Sequence, residues 1–401
     1  MSSIFAQVAS APPDPILGLT EAFNADTHPN KVNLGVGVYQ NEDGKVPVLR
    51  AYREAEQRWL ASESTKSYLP IDGAPAFLAE VRKLLFGADA PVVAEDRVVS
   101  AQCLGGTGAL KVGADLIRRH LPATTVWLSS PSWENHKALF EAAGFTVRSY
   151  AYYDPTTRGL DWEAMTRDLR AIPAGDVVLL HACCHNPTGV DLSAEQWAAV
   201  VRIAQERGHV PFLDFAYQGF AEGLEEDAHA VRRFAASGLS FLVASSFSKN
   251  FSVYRERVGA LNIVTSDAEE AARVRSQVKR VIRTNYSNPP SHGAQVVALA
   301  LGDPELRALW ETEVARMRDR IRAMRTQFVA ALRAQEAPRD FGFIEKQRGM
   351  FSFTGLDVDT VRKLRAEKSL YIVDSGRICM AALNERNLPY VCGAIAAALR
   401  S

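Results

Sequence analysis

The sequence predicts an α/β fold: a large domain with a mostly parallel sheet flanked by helices, and a smaller α/β domain beside it. Three patterns predict it. Helix-like and strand-like segments alternate from about residue 75 to 265, as a parallel sheet with right-handed crossovers requires. Helical periodicity then runs from Pro304 to Ala334 without an internal glycine or proline, long enough to link two domains. A shorter set of strand and helix patterns follows it.

In chain order, strands are expected over 97–103, 125–128, 145–150, 176–181, 210–214 and 241–245, each β-rich and bounded by turn residues. Helices fall between them. The helix over 138–143 stops at Gly144, and Ser193 with Gln196 forms a capping box for a helix that ends at Gly208. On the long helix, Leu306, Leu309, Trp310, Val314, Met317, Ile321, Met324, Phe328 and Leu332 recur at spacings of three and four. Beyond it, MFSFTG, TVRKLRAEK, SLYIV and a last helix from Asn387 make the smaller domain, completed by N-terminal residues. The expected organisation is an arm over 1–14, a small domain over 15–45 and 320–401, and a large domain over 46–319.

Length and composition bound the function. At 401 residues the chain suits two or three domains. With 47% hydrophobic and 23% charged residues it is neither disordered, collagenous nor a disulfide scaffold. The 46 basic and 46 acidic residues cancel, leaving no electrostatic footprint for nucleic acid or an anionic membrane, so a small-molecule partner is expected. No apolar run approaches the roughly 18 residues of a membrane helix, and the N-terminus has no basic stretch leading into an apolar one. The five cysteines are odd in number and lack a C-x-x-C pair, which reads as reduced thiols in a cytoplasmic protein.

Several motifs carry chemistry. Gly105-Gly106-Thr107-Gly108 follows an expected strand and opens a helix, whose free N–H groups can hold a phosphate. Lys111 stands where a dinucleotide fingerprint needs its third glycine, and it follows a leucine, so neither that fingerprint nor a P-loop is present. HACCHNPTG, from His181 to Gly189, has a His-x-x-x-His spacing. The segment is strand leading into Asn-Pro-Thr-Gly, which does not put both imidazoles on one face, so buried hydrogen bonding is expected rather than a metal. Asn186, just past that strand's carboxyl end, can donate to a ligand where open α/β sheets bind them. Asp214 ends the run VPFLD at the same edge, and Tyr217 adds a hydroxyl nearby. Lys249 lies 35 residues after Asp214, about one strand-helix-strand crossover, so the two should be neighbours at one sheet edge. An amine near a carboxylate, a phosphate-holding helix start and an amide donor together fit pyridoxal phosphate, whose Schiff-base lysine and ring-nitrogen aspartate these would be.

The ordered series DPILGL, VNLGVGVY, GGTGAL, PSWENHK, CCHNPTG, DFAYQGF, SSFSKN, ERVGA, NYSNPP, GMFSFTGL and SGR resembles the class I aminotransferases of the aspartate and aromatic amino acid subgroup, a fold-type I pyridoxal phosphate family. By that resemblance Lys249 is the Schiff-base lysine and proton shuttle, Asp214 the pyridinium partner and His136 its support. Trp133 lies over the ring, while Asn186 and Tyr217 bond its phenolic oxygen. The resemblance further implies that Gly105, Gly106, Thr107, Ser246 and Arg257 hold the phosphate, with Tyr68 reaching across from a second subunit of a homodimer with shared sites. Arg377 grips the substrate α-carboxylate, a task suited to its planar fork. Arg283 reaches into the neighbouring site to pair with the side-chain carboxylate of aspartate or glutamate. Val36 and Gly37 lie on the mobile small domain, Gly37 among the substrate-binding residues.

Glu134, Pro70 and LGGTGALKVGAD look more like the aromatic branch than the aspartate-directed one, which tends to carry proline at the place of Glu134. The expected activity is a ping-pong transamination of tyrosine, phenylalanine and aspartate or glutamate with 2-oxoglutarate as acceptor. Its rivals are an aspartate-preferring aminotransferase and another pyridoxal phosphate reaction such as β-elimination or decarboxylation. A cofactor-binding regulator is disfavoured because the resemblance starts at about Asp14 and leaves no nucleic-acid-binding module.

Overall fold

The computed structural model describes residues 3–11 and 16–400. Of the expected arm, residues 3–11 are exposed chain with a turn over 4–7. Positions 12–14, and position 15 where the small domain was expected to begin, lie outside the described residues, as do residues 1, 2 and 401.

A seven-stranded sheet forms the centre. In chain order its strands are β1 (Val98–Leu104), β2 (Thr125–Ser130), β3 (Thr146–Ala151), β4 (Val177–His181), β5 (Val210–Phe215), β6 (Phe241–Ser246) and β7 (Val258–Val264). The spatial order is β1-β7-β6-β5-β4-β2-β3, parallel throughout except for β7, which runs antiparallel to both β1 and β6. The six expected strands all form. The seventh is a correction to the sequence reading: VGALNIV carries a glycine and an asparagine, both uncommon in strands. A Cβ at Gly259 would sit 2.4 Å from the carbonyl carbon of Gly105, so this strand needs glycine where another backbone crosses it closely.

Successive residues of the inner strands point to opposite faces, and both faces are covered. Val178, Leu180, Leu213, Phe215 and Val243 join one core with helices Pro75–Phe86, Ala194–Arg207 and Pro304–Ala334. Val177, Leu179, Phe212 and Leu242 join another with helices Gly105–His120 and Ala268–Asn285. Asp214 shares the face of Phe212. The capping box of Ser193 and Gln196 is present, and Gly208 closes that helix in the left-handed region at φ 66°.

The long helix spans Pro304–Ala334 as its periodicity predicts, with the side chain of Asp303 accepting from the N–H groups of Glu305 and Leu306. Its buried stripe includes one residue the apolar pattern excludes. Arg325, 2% exposed, donates to the carbonyls of Gly349 at 2.5 Å and Phe351 at 2.9 Å. The helix is thereby tied to the short strand Phe351–Phe353, which pairs antiparallel with Arg377–Cys379. The N-terminal strand Val32–Asn33 pairs parallel with Leu370–Tyr371, joining the two ends of the chain; helix Val358–Lys368 packs on Leu370–Tyr371, and helix Leu388–Arg400 packs on that helix and on the long one.

Two glycines test the packing. Gly259→Ala should destabilise the protein by about 1–3 kcal/mol because the methyl group has no room. Gly393, inside helix Leu388–Arg400 with nothing within 4 Å of a Cβ, should gain about 0.5–1 kcal/mol as alanine. Urea unfolding of both variants at one protein concentration measures this; equal effects would contradict the crossing of β7 over Gly105.

Candidate active site

The carboxyl ends of β4, β5 and β6 form one wall of a cavity of ≈ 210 Å³, and helix Gly105–His120 opens onto it. Asp214 is the penultimate residue of β5, after the apolar Pro211, Phe212 and Leu213; Ala244 of β6 lies opposite it in register, and Lys249 follows three residues after β6 ends. The 35-residue spacing thus places both at adjacent parallel strands, as expected. Gly37, Gly106, Thr107, Trp133, Asn186 and Tyr217 also line the cavity, as do Ser246 and Arg257.

One end of the cavity is built for an anion. Helix Gly105–His120 has no side-chain cap and no acidic residue in its first turn, leaving N–H groups free. Arg257 is held against this helix start: its carbonyl accepts from the N–H of Gly105 at 2.9 Å, and its Nη1 donates to Ser248 Oγ at 3.3 Å and the Tyr254 carbonyl at 2.8 Å. A Cβ at Gly105 would meet Arg257 Nη2 at 2.5 Å, so glycine there makes room for the guanidinium. Gly105 itself does not line the cavity, whereas Ser248, Tyr254, Leu110 and Ala216, which the sequence did not single out, do.

At the other end stands Asp214, 7% exposed. Its Oδ2 is 2.9 Å from His136 Nε2, while its Oδ1 is buried with no partner. Behind His136 a chain of bonds continues: Nδ1 to Ser132 Oγ at 2.9 Å, Ser132 Oγ to His181 Nε2 at 3.2 Å, and the N–H of Asn186 to His181 Nδ1 at 3.4 Å. The backbone N–H of Asn186 can only donate and an ionised Asp214 can only accept, so every bond has one direction. His181 donates through Nε2 to Ser132, the serine hydroxyl donates to His136 Nδ1, and His136 donates through Nε2 to Asp214. Burial, with the nearby His136, lowers His181 to about 3, which keeps it neutral in this chain. Burial alone would raise Asp214, but the bond from His136 and the positive charge of Lys249 outweigh it and hold the carboxyl below its ordinary range. The histidines of HACCHNPTG are buried hydrogen-bonding groups, as expected; His185 bonds Ser129 at 2.8 Å and Thr188 at 2.8 Å.

Lys249 Nζ lies 5.0 Å from the centre of the Tyr217 ring. Loss of water pushes the amine down to about 8, against the opposing pull of Asp214, and Arg257 lowers it further. At pH 7 roughly a tenth of the amine is therefore neutral and nucleophilic, far more than in an ordinary lysine.

Arg377 is outside the cavity lining but bonded to it: Nη1 donates to Asn186 Oδ1 at 3.1 Å and Nη2 to the Gly35 carbonyl at 2.6 Å. Because Asn186 Oδ1 is occupied by Arg377, its Nδ2 is the end left to donate into the cavity. Gly37 sits against Phe351, whose ring a Cβ would meet at 2.5 Å, and the same ring lies 4.1 Å below the Arg377 guanidinium. Two further expected residues lie away from this cavity altogether. Tyr68 is 91% exposed, and Arg283, bonded to Ser287, is exposed as well.

All five cysteines are free and buried. Cys183, Cys184 and Asp227 cluster, yet the Asp227 carboxylate already accepts from the N–H groups of Gly219, Ala221, Glu222 and Gly223, and burial raises both thiols. That set ties down a loop rather than awaiting an ion.

The cavity fits pyridoxal phosphate on this chain's own terms: a buried carboxylate oxygen lacking a donor at one end, an uncapped helix start with an arginine at the other, and a partly neutral lysine amine between. Residues 29–395 match the family model described as aminotransferase class I and II. The chain is 59% identical over 393 residues to an aspartate aminotransferase of Pseudomonas aeruginosa, covering 98% of this chain and 99% of the relative. It is 49% identical over 397 residues to the aromatic-amino-acid aminotransferase of Escherichia coli, covering 99% and 100%. Among solved structures it is similar to an aromatic-amino-acid aminotransferase from Burkholderia pseudomallei covalently bound to pyridoxal phosphate, with TM-score 0.97, 59% identity and coverage of 99% and 100%.

The depressed Lys249 amine predicts how the cofactor-free protein takes up pyridoxal phosphate. Below about pH 8 the reactive neutral fraction falls tenfold per unit, and above it the fraction levels off. The rate of covalent uptake, followed by absorbance, should therefore be half-maximal near pH 8. A rate still climbing tenfold per unit through pH 9 would contradict the burial of the amine.

Proposed function

The chain belongs to the class I and II aminotransferases and is a pyridoxal phosphate enzyme, and on that footing we propose that it transaminates tyrosine and phenylalanine as well as aspartate and glutamate, with 2-oxoglutarate as acceptor, in a ping-pong cycle. The observation that carries the reading is the partnerless Oδ1 of Asp214, a buried acceptor facing the space where a protonated ring nitrogen would sit. When bound, pyridoxal phosphate supplies an aldehyde for the amino group and a protonated ring that accepts electrons.

On this reading each side chain has one task. Asp214 accepts the ring N–H through Oδ1 while His136 fixes its other oxygen. Gly106 and Thr107 at the helix start, with Ser246 and Arg257, would hold the phosphate, while Gly105, whose N–H is bonded to the Arg257 carbonyl, would serve it indirectly by making room for that guanidinium. Trp133 would pack on the ring, and Asn186 Nδ2 and the Tyr217 hydroxyl would donate to its phenolic oxygen, since all three line the cavity. Arg377 pairs with the substrate α-carboxylate, and Gly37 leaves space beside it. Lys249 would act as the base that takes up and gives back the proton at the substrate's α-carbon through its Nζ. Tyr68 and Arg283 act in the site of a second copy. Their exposure in the single chain, together with the exposure of Ile4, Phe5, Val8 and Leu60, supports a homodimer. The small domain, 15–45 with 320–401, is proposed to close over substrate against 46–319. The free buried thiols support a cytoplasmic location, and no helix of the described residues is long and apolar enough to cross a membrane.

Dual specificity follows if Arg283 meets a side-chain carboxylate and turns aside for an aromatic ring. Relatives named for aspartate and for aromatic amino acids both align along the whole chain, which supports keeping both substrate classes. The aspartate-preferring reading is separated by experiment. Arg377→Ala should weaken every substrate by about 2–5 kcal/mol, since all carry an α-carboxylate. Arg283→Leu should cost aspartate and glutamate a comparable amount while sparing phenylalanine. Single-turnover rates with each amino acid isolate one half-reaction; equal losses for aspartate and phenylalanine in Arg283→Leu would overturn the dual-specificity reading.

A further inference from the structure

Arg377 is 1% exposed, yet its two hydrogen-bonded partners, Asn186 Oδ1 and the Gly35 carbonyl, are neutral, and its Nε has no partner. A guanidinium so enclosed is costly without a counter-charge. Among the described residues one carboxylate comes within ion-pair reach: Oε2 of Glu134 lies 4.0 Å from Arg377 Nη1. That oxygen is itself shut off from solvent and has no hydrogen-bond partner, although the Glu134 side chain as a whole is 32% exposed.

The separation is informative. At 4.0 Å the pair attracts electrostatically but is too long for a hydrogen bond. His136 and Asp214, by contrast, close to 2.9 Å. Glu134 is the first residue of helix Glu134–Ala142, directly after Trp133, where free N–H groups favour a carboxylate whether or not Arg377 is near. It is held in place by its helix and only lent to the arginine.

We propose that Glu134 is a stand-in anion for the substrate α-carboxylate: it neutralises Arg377 while the site is empty and competes with every carboxylate that arrives or leaves. The inference rests on Arg377 being the α-carboxylate's partner. An incoming α-carboxylate can form the two parallel hydrogen bonds that Glu134 does not, and so displaces it, but at the cost of two negative charges near one guanidinium. Glu134 therefore loosens binding of substrates and products alike, mono- and dicarboxylic, and acts on affinity rather than on proton transfer at the α-carbon. It is a positioning residue, not a catalytic one.

The test is a titration of the purified holoenzyme with 3-phenylpropionate, a monocarboxylate without an amino group to react. Glu134→Gln should bind it about three- to tenfold more tightly than wild type at low salt, a gap that narrows at 1 M salt as charges are screened. Glu134→Ala, which removes the charge without adding an amide donor, should also tighten, which separates lost repulsion from a gained hydrogen bond. In the phenylalanine half-reaction the dissociation constant should move more than the limiting rate constant. Unchanged or weaker binding in both variants would overturn the proposal. Two controls separate its failure from failure of the reading beneath it: wild type must transaminate phenylalanine, and Arg377→Ala must weaken 3-phenylpropionate.

Discussion

Burying a carboxylate at the end of a parallel strand costs several kcal/mol unless hydrogen bonds and opposite charge offset it, and the Asp214–His136 pair meets that cost on one oxygen only. The bond from His136 keeps Asp214 ionised, and the relay through Ser132 and His181 to the backbone of Asn186 keeps His136 donating. The other oxygen is left unsatisfied inside the cavity, an arrangement that is unfavourable for the empty chain and favourable once a donor arrives. Rings reinforce the relay: His136 lies edge-on to both Trp133 and His181 with centroids 5.1 Å apart in each case. Trp133, Asn186 and Asp214 are thus fixed by one network.

Lys249 answers to the same burial with the opposite sign. Loss of water disfavours the charged form of both groups, so it raises a carboxyl and lowers an amine. Asp214 escapes through His136, while Lys249 has no hydrogen bond to a carboxylate and stays near 8. One cavity therefore keeps an acid ionised and an amine partly neutral at the same pH, which suits a ring that must stay protonated beside a base that must take up protons. Arg377 makes a third case, a buried cation that shares its charge with a distant Glu134 until a better partner docks.

Much of this was legible in the sequence because it is carried by chain order. Spacing alone put Asp214 and Lys249 on neighbouring strands, and the glycines at 105 and 106 marked the helix start that faces Arg257. What was not legible depends on contacts between distant segments. Ser132 matters only because His136 and His181 flank it in space, 49 residues separating it from His181. Strand β7 was hidden because Gly259 serves a backbone crossing rather than strand propensity, and Arg325 because its fork is satisfied by carbonyls from another segment. Tyr68 and Arg283 lie away from the cavity of their own chain, so the tasks proposed for them require a second copy that one chain does not contain.

The central claim is that the free oxygen of Asp214 keeps the cofactor's ring nitrogen protonated. The direct measurement is the ¹⁵N chemical shift of ring-labelled pyridoxal phosphate bound to the protein. The account predicts a pyridinium shift from pH 6 to about pH 9, well above the range in which a free pyridine nitrogen of this kind loses its proton, and a move toward the neutral value in His136→Phe, where Asp214 loses its one donor. A neutral-pyridine shift in the wild-type protein at pH 7 would contradict it.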